Sequence, residues 1–519
     1  MMHWPWLLIG SLGWATLAAA LELTPQEAAG KRIYLGGTGS SDAPIYALVG
    51  AGNTSLPGSL LPCANCHGAD GRGRPEGGVR PPDITWQRLS TAYGLRLDSG
   101  RSHPPYDEAA FTRALSEGRD PAGNRLDPAM PRFVMSLRDM TNLTQYLKRL
   151  EDDRDPGVQD ELLRIGTLLP ANGPLAASGK TVAAVLAGVI GRINDAGGIY
   201  GRRLELVIGD PGPDRVTAEA ALRTLLEQQV FALVAPLAPA LEGHFSELVE
   251  ATGLPVIGPL TQLAGERSNP LIFDPLPGLR EQLFVLGDFA SGNLDLSDPV
   301  ALIAYPQDAG LRPLAEGLAA RLRGRHWSKV RLLGFRQEDL ENKIGLLGRD
   351  TQAVFFLGSS DSFSVLAAAL HDAEPSPYLF AASNQVAAAV MQVPRRYSER
   401  LFLAYPFLPG DWTPGGIADL LAVRQRSGIA GQHALLQVTT YSAVMLLGEG
   451  LKRAGRDASR EKLVTALENL HGFHTGLTPA LGFGPGKRVG AAGAHIVKVD
   501  LQGQRLRPTG HYIKLEPQL

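Results

Sequence analysis

The chain has 519 residues, 44% of them apolar and 20% charged, with a formal net charge of −2. That length exceeds one ordinary domain. No strong basic balance points to a nucleic-acid partner, and there is no acidic tail.

The first residues read as an apolar stretch, Trp4 to Gly10, running on to Ala18-Ala19-Ala20-Leu21. An apolar core ending in small residues is the pattern of a secretory signal peptide, and Ala18 and Ala20 fit a cleavage site before Leu21. Residues 1–20 are therefore expected to be a signal peptide. The flank before the apolar core lacks Lys and Arg, so an uncleaved anchor is the alternative. No later segment reads as a membrane span.

Cys63-Ala64-Asn65-Cys66-His67 contains both cysteines of the chain. C-x-x-C-H is the attachment pattern of a c-type haem. Two intervening residues let both sulfurs reach adjacent edges of one macrocycle, and the following histidine lies under the iron. A zinc site would need four ligands, and no other cysteines exist to complete one. One covalent haem c on Cys63 and Cys66 is expected, with His67 as a metal ligand and no disulfide. Such haem is joined outside the bacterial cytoplasm, so the expected address is the periplasm.

The opposite face of the iron needs a second ligand, and methionine there raises the potential. Met130-Pro131 follows a helical stretch, Tyr106 to Glu117, and precedes another in which Met140, Leu143, Leu147 and Leu150 form one apolar stripe. Ser136 and Asp139 read as its capping box. Met135, Met140 and His103 compete with Met130 for the role. Gly30-Lys31-Arg32-Ile33-Tyr34, the pentapeptide with Gly68, Met130-Pro131-Arg132-Phe133 and Tyr146 to Leu150 resemble a class I c-type cytochrome domain of the bacterial kind. The resemblance implies a small all-α domain over 21–150, iron ligation by His67 and Met130, and orientation of His67 by the carbonyl of Pro81 or Pro82.

Glu151 to Gly157 is a charged segment ended by Pro and Gly, which reads as a linker, 151–160. Beyond it, short apolar strands alternate with helices: Leu162 to Pro170, Ser178 to Ala196, Arg203 to Asp210, Asp214 to Gln229 and onward to Tyr378 to Ala382. This alternation implies parallel sheets covered by helices on both faces. The roughly 360 residues of 161–519 exceed one compact sheet, so two lobes are expected.

Arg164 to Pro170, Asn194-Asp195-Ala196-Gly197-Gly198, Gly253 to Ile257 and Tyr441 to Leu447 resemble the type I periplasmic solute-binding proteins, the branched-chain amino-acid receptor group that serves ABC transporters. The fold class expected for the whole is multidomain: the cytochrome domain followed by a two-lobed α/β binding domain. The resemblance implies a cleft that closes on a ligand by hinge motion, with Thr261 and Gln262 after the fourth strand and Tyr305 and Tyr405 at later strand ends as candidate ligand contacts. The chain departs from amino-acid receptors in three places. Pro236 to Ala240 has no hydroxyl where the family holds a carboxylate, Gln307 to Gly310 lacks the usual tyrosine, and Asn384-Gln385 is neutral where an acid pairs with the ammonium. Burying both charged ends unpaired would cost several kcal/mol, so an apolar or aromatic small molecule, or a vestigial cleft, is expected.

The function these readings imply is a periplasmic monohaem electron carrier fused to a small-molecule-binding domain. Its redox partner would be a periplasmic dehydrogenase, or a cytochrome or oxidase. The alternative is the receptor of an ABC transporter, with an ABC permease as partner and the haem as a redox sensor. No residue pattern for bond-breaking catalysis is present, and the chain is not expected to be an enzyme.

Overall fold

The computed structural model describes residues 23–39, 43–50, 52–75, 78–97, 100–260, 269–307, 310–345, 350–370, 376–386 and 389–515. The signal-peptide expectation therefore lies outside the described residues. The chain divides into two compact units, Met1–Pro156 and Gly157–Leu519.

The first unit contains helices α1 (Pro25–Gly36), α2 (Cys63–His67), α3 (Trp86–Leu89), α4 (Glu108–Glu117) and α5 (Leu137–Arg149). Their ends follow local chemistry. Thr24 and Glu27 form a reciprocal capping box at α1, with Pro25 at its first turn and Gly37 in the left-handed conformation at its end. Asp107 and Ser136 accept the amide hydrogens of Ala110 and Asp139 to start α4 and α5. The stripe read from sequence is buried as expected: Met140, Leu143, Leu147 and Leu150 join Tyr34, Tyr106, Phe111 and Tyr146 in one core.

The unit is not all-α. Strands β1 (Tyr46–Val49), β2 (Thr54–Pro57) and β5 (Arg132–Val134) form an antiparallel sheet in the order β2-β1-β5, and β3 (Leu95–Arg96) pairs with β4 (Ser102–His103). The physical reason is pairing at a distance. Phe133 sits opposite Ala47, and both side chains are buried in the unit's core. This corrects the all-α expectation.

In the second unit, β6 (Leu162–Leu168), β7 (Arg203–Gly209), β8 (Ala232–Val234), β9 (Val256–Ile257) and β10 (Ile272–Phe273) make a wholly parallel sheet ordered β10-β9-β8-β6-β7. Helices α6 (Ala176–Asp195), α7 (Arg215–Glu227) and α8 (Phe245–Thr252) connect these strands. The second lobe contains α9 (Leu279–Asn293), β11 (Val300–Pro306), α10 (Arg312–Gly324), β12 (Lys329–Phe335), α11 (Leu340–Gly345), β13 (Ala353–Phe356), α12 (Ser360–Ala369), β14 (Tyr378–Ala382), α13 (Ser383–Val386) and β15 (Leu401–Tyr405). The chain then returns to the first lobe with α14 (Pro414–Ser427), α15 (Ala434–Ala454) and α16 (Arg460–Glu468), and ends in β16 (Gly493–Asp500) and β17 (Arg505–Lys514). Those last two strands extend the second sheet antiparallel, giving β12-β11-β13-β14-β15-β16-β17.

Two helices, α6 and α15, have the length and apolarity of a membrane span, contrary to the sequence reading that no later segment does. Both lie in the core of the first lobe, where Val182, Val185 and Leu186 of α6 and Val438, Val444 and Leu447 of α15 are buried.

Three crossings join the lobes. The first, around Asp274, is bonded to the third, which runs from α16 to β16: Asp274 donates its amide to the Arg488 carbonyl and accepts from Gly490. Burial pushes the Asp274 carboxyl up to about 8, with Glu281 adding to the rise. A carboxyl that keeps its proton only in the folded chain favours folding below its unfolded value, and that advantage is lost as pH rises through the folded value. The thermal midpoint is thus expected to fall between about pH 4, near the unfolded value, and about pH 8. Asp274→Asn is expected to flatten that slope in melts across the range; an unchanged slope would show that Asp274 does not cause it.

Candidate functional site

The CANCH pentapeptide folds as the one-turn helix α2, and Gly68 ends it with φ 75°. The next residues turn back under it: Gly73 donates its amide to the His67 carbonyl and Arg74 to that of Cys66, both at 2.8 Å. Gly73 has φ 90°, and a Cβ there would stand 2.1 Å from the Pro81 carbonyl oxygen. That close approach brings the Pro81-Pro82 segment beside His67. His67 is 4% exposed, and its Nδ1 lies 3.0 Å from the Pro82 oxygen. A carbonyl only accepts, so Nδ1 carries the proton and Nε2 keeps its lone pair. Burial lowers the His67 pKa, outweighing the opposing pull of the Pro82 carbonyl and Asp83, so the ring is neutral at pH 7. Of the two prolines left open by the sequence, Pro82 is the acceptor.

Gly73→Ala is expected to push Pro81 and Pro82 away from His67. The strain and crowding should cost about 1–3 kcal/mol in thermal or urea unfolding. In haem-loaded protein it should also shift the reduction potential, because the ring loses its orienting bond.

Met130 is fixed from both sides. The Asp127 side chain accepts the Ala129 amide hydrogen and its carbonyl accepts that of Met130, each at 2.9 Å. Two residues later the chain enters β5 and is paired to β1. The fold brings Cys63, Cys66, His67 and Met130 to the wall of one cavity of about 400 Å³. His103 lines it as well, whereas Met135 and Met140 do not. Apolar side chains, among them Leu61, Ile84, Leu97 and Phe111, make up much of the wall. Arg74, Arg80 and Arg101 also reach it, and the sequence reading had not singled them out.

These residues fit a covalently held haem. Burial pushes the Cys63 thiol up to about 12, with Cys66 adding a smaller rise, so it is a neutral S–H at pH 7. This is the opposite of the activated thiolate of a redox C-x-x-C pair. Each thiol can add its S and H across a vinyl double bond, and the neutral His67 offers Nε2 to a metal. Among the described residues, no group of three or more His, Cys, Asp or Glu offers a competing metal site.

In the second unit the parallel strands of both sheets have the order 2-1-3-4-5 within their lobe, and such sheets take ligands at the carboxyl ends of the strands flanking the first. At that point in the first lobe, Leu237 donates its amide to the Leu168 carbonyl and closes an apolar turn over β6. In the second lobe three hydrogen bonds between uncharged groups tie the rim together. Ser362 donates to Gln337 Oε1, Ser359 and Ser362 share a hydrogen bond of 3.1 Å, and Ser360 donates to the Gln385 carbonyl at 3.0 Å. Gly358-Ser359-Ser360 directly after a buried strand was the available sequence signal for this rim. Thr261 and Gln262 lie outside the described residues. Tyr305 and Tyr405 are not brought together: Tyr305 is buried on the α9–α10 face of the sheet, and Tyr405 packs on the α11–α12 face.

The periplasmic binding protein family matches residues 163–504. The chain belongs to that family. The two lobes, their sheet order and the three crossings are its type I architecture, and the family's receptors bind ligands without transforming them. Solved binding proteins share the fold. A fatty acid ABC transporter substrate-binding protein from Thermomonospora curvata superposes with a TM-score of 0.57 at 17% identity, over 70% of this chain and 95% of the other. An extracellular ligand-binding receptor from Verminephrobacter eiseniae gives 0.53 at 20% identity, over 66% and 99%. A branched chain amino acid ABC transporter from Thermus thermophilus with bound valine gives 0.55 at 14% identity, over 68% and 97%. No curated protein matches the chain. The binding-protein match begins at residue 163, so the first unit rests on its own residues.

Proposed function

We propose that the chain is a periplasmic small-molecule receptor of the ABC-transporter type that carries one covalent haem c in its first unit. Cys63 and Cys66 would tether the haem, and His67 and Met130 would ligate its iron. The bound haem supplies one-electron chemistry. The protein's residues exclude water, hold the His67 proton on Nδ1 and fix the Met130 sulfur. The observation that carries this reading is the single cavity where both thiols, the neutral imidazole and the thioether meet.

Family membership supports a small-molecule ligand, an ABC permease as partner and an extracytoplasmic address. A second reading, an electron carrier for a periplasmic dehydrogenase chain, draws on the hydroxyl-free turn Pro236 to Ala240 and the neutral Asn384-Gln385, which suit a valine-like zwitterion poorly.

Expression of the full chain in a host competent for c-haem maturation tests the haem. A Soret band that survives acid–acetone extraction is expected, and its loss in a Cys63→Ser/Cys66→Ser variant. Absence of that band in the parent chain would overturn the reading. Calorimetry with valine and with a medium-chain fatty acid, on haem-loaded and double-serine protein, separates the roles. A receptor binds its ligand equally in both, whereas failure of a broad ligand screen would favour the electron carrier.

A further inference from the structure

The second unit is anchored at its first residue. Gly157 has φ 85°, and a Cβ there would stand 2.6 Å from the Gln229 carbonyl oxygen and 2.7 Å from the Phe231 nitrogen. Its own carbonyl accepts the Arg164 amide at 3.0 Å, and Val158 is buried and bridged to Leu163. The last segment of the first unit is anchored too. The Asp152 and Asp153 amides both bond to the Arg149 carbonyl, and Arg149 pairs with Asp152 at 3.0 Å. Asp153 pairs with Lys31 at 2.7 Å and accepts the Tyr146 hydroxyl at 2.8 Å. Only Arg154, Asp155 and Pro156 separate these two anchored points in sequence.

From Asp153 a continuous path leads to the cavity. Tyr146 and Tyr34 are both buried, and their ring centroids are 5.7 Å apart at an interplanar angle of 53°. The Tyr34 hydroxyl donates to the carbonyl of Gly68 at 2.7 Å, and Gly68 directly follows His67. Tyr34 is itself part of the cavity wall. The sequence explains why this path is rigid: both rings sit where α1 crosses α5, and neither can move without opening that contact.

We propose that Asp153, Tyr146 and Tyr34 are positioning residues that couple the connector between the two units to the His67–Gly68 segment, so that a displacement of the connector is felt at the haem site. The bistable element is the Tyr146–Asp153 hydrogen bond, made or broken by the connector. Its value for redox function rests on the haem reading above; the coupling itself does not.

The test reads amide hydrogen exchange in the full-length protein. Gly71, Gly73 and Arg74 donate to the carbonyls of Gly68, His67 and Cys66 and report on the loop; the amides of α4 are the internal control. Tyr146→Phe removes one hydroxyl and no charge. It should speed exchange of the three loop amides roughly fivefold to tenfold, the scale of one ordinary hydrogen bond's net contribution, with α4 unchanged. Gly157→Ala disturbs the connector from the second unit's side. It should accelerate the same amides in the parent chain and add nothing in the Tyr146→Phe background. A Gly-Ser insertion after Pro156 displaces the connector without crowding Gln229 and carries the same two expectations.

In haem-loaded protein the reduction potential should follow the same pattern. Connector variants that leave the loop amides unmoved, or that act equally with and without the Tyr146 hydroxyl, would overturn the proposal. Lack of haem would overturn the haem reading alone, since exchange is read without it.

Discussion

Met130→Ala is expected to lower the reduction potential of the haem-loaded chain by on the order of 0.2 V, within the roughly 0.8 V range that axial ligation spans. A thioether favours the reduced iron, and its loss leaves water or a harder nitrogen donor to take its place. The cavity offers one such donor, His103. Its Nδ1 bonds to the Pro104 carbonyl at 2.8 Å, its ring packs edge-on against Tyr106 with centroids 4.9 Å apart, and its backbone is paired with Leu95. Reorienting the ring would break both the Pro104 bond and the Tyr106 contact. Met130 is held by backbone bonds on either side, packs partly against the unit's core and lines the cavity. His103→Ala is therefore expected to leave the potential nearly unchanged. A redox titration of both variants decides between them: a large shift in His103→Ala with none in Met130→Ala would make His103 the ligand.

What the sequence made legible follows from how local each signal was. The C-x-x-C-H pentapeptide is five consecutive residues, and they fold as a single helical turn. The parallel strands of the second unit are buried on both faces, so Leu162–Leu168 and Val300–Pro306 stand out as apolar runs without reference to their partners. The caps at Thr24, Asp107 and Ser136 are equally local. The sheet of the first unit was hidden because β1 and β5 are each three or four residues long and are more than eighty positions apart. Neither strand has a repeat long enough to show a period of two.

The ligand face was hidden for a different reason. Whether a strand-end tyrosine faces one layer of helices or the other depends on parity within the strand. Tyr305 continues the row Ala301–Ile303, whereas Tyr405 continues Leu401–Leu403 on the other side. The choice of Pro82 over Pro81 likewise depends on Gly73, whose close approach to Pro81 exists only in the folded chain.

Gly30→Val is expected to be the most damaging single change in the first unit. A Cβ at Gly30 would lie 2.1 Å from the Asn142 carbonyl oxygen and 2.6 Å from the Tyr146 Cβ. Both obstacles are backbone or first side-chain atoms of α5, so neither can swing aside. The helices must separate, and Ile33, Tyr34, Leu143, Tyr146 and Leu147, all buried within 2% exposure at this crossing, lose contact together. Overpacking costs about 1–3 kcal/mol where side chains can adjust, and a crossing that cannot adjust should exceed that. Urea unfolding of the haem-loaded chain, followed at the Soret band, measures the loss. Gly36→Ala in the same helix is the control. Its Cβ would meet nothing nearer than the Thr38 Oγ1 at 3.6 Å, and replacing glycine in a helix should gain about 0.5–1 kcal/mol. Equal midpoints for the two variants would mean that the α1–α5 crossing does not limit the stability of the first unit.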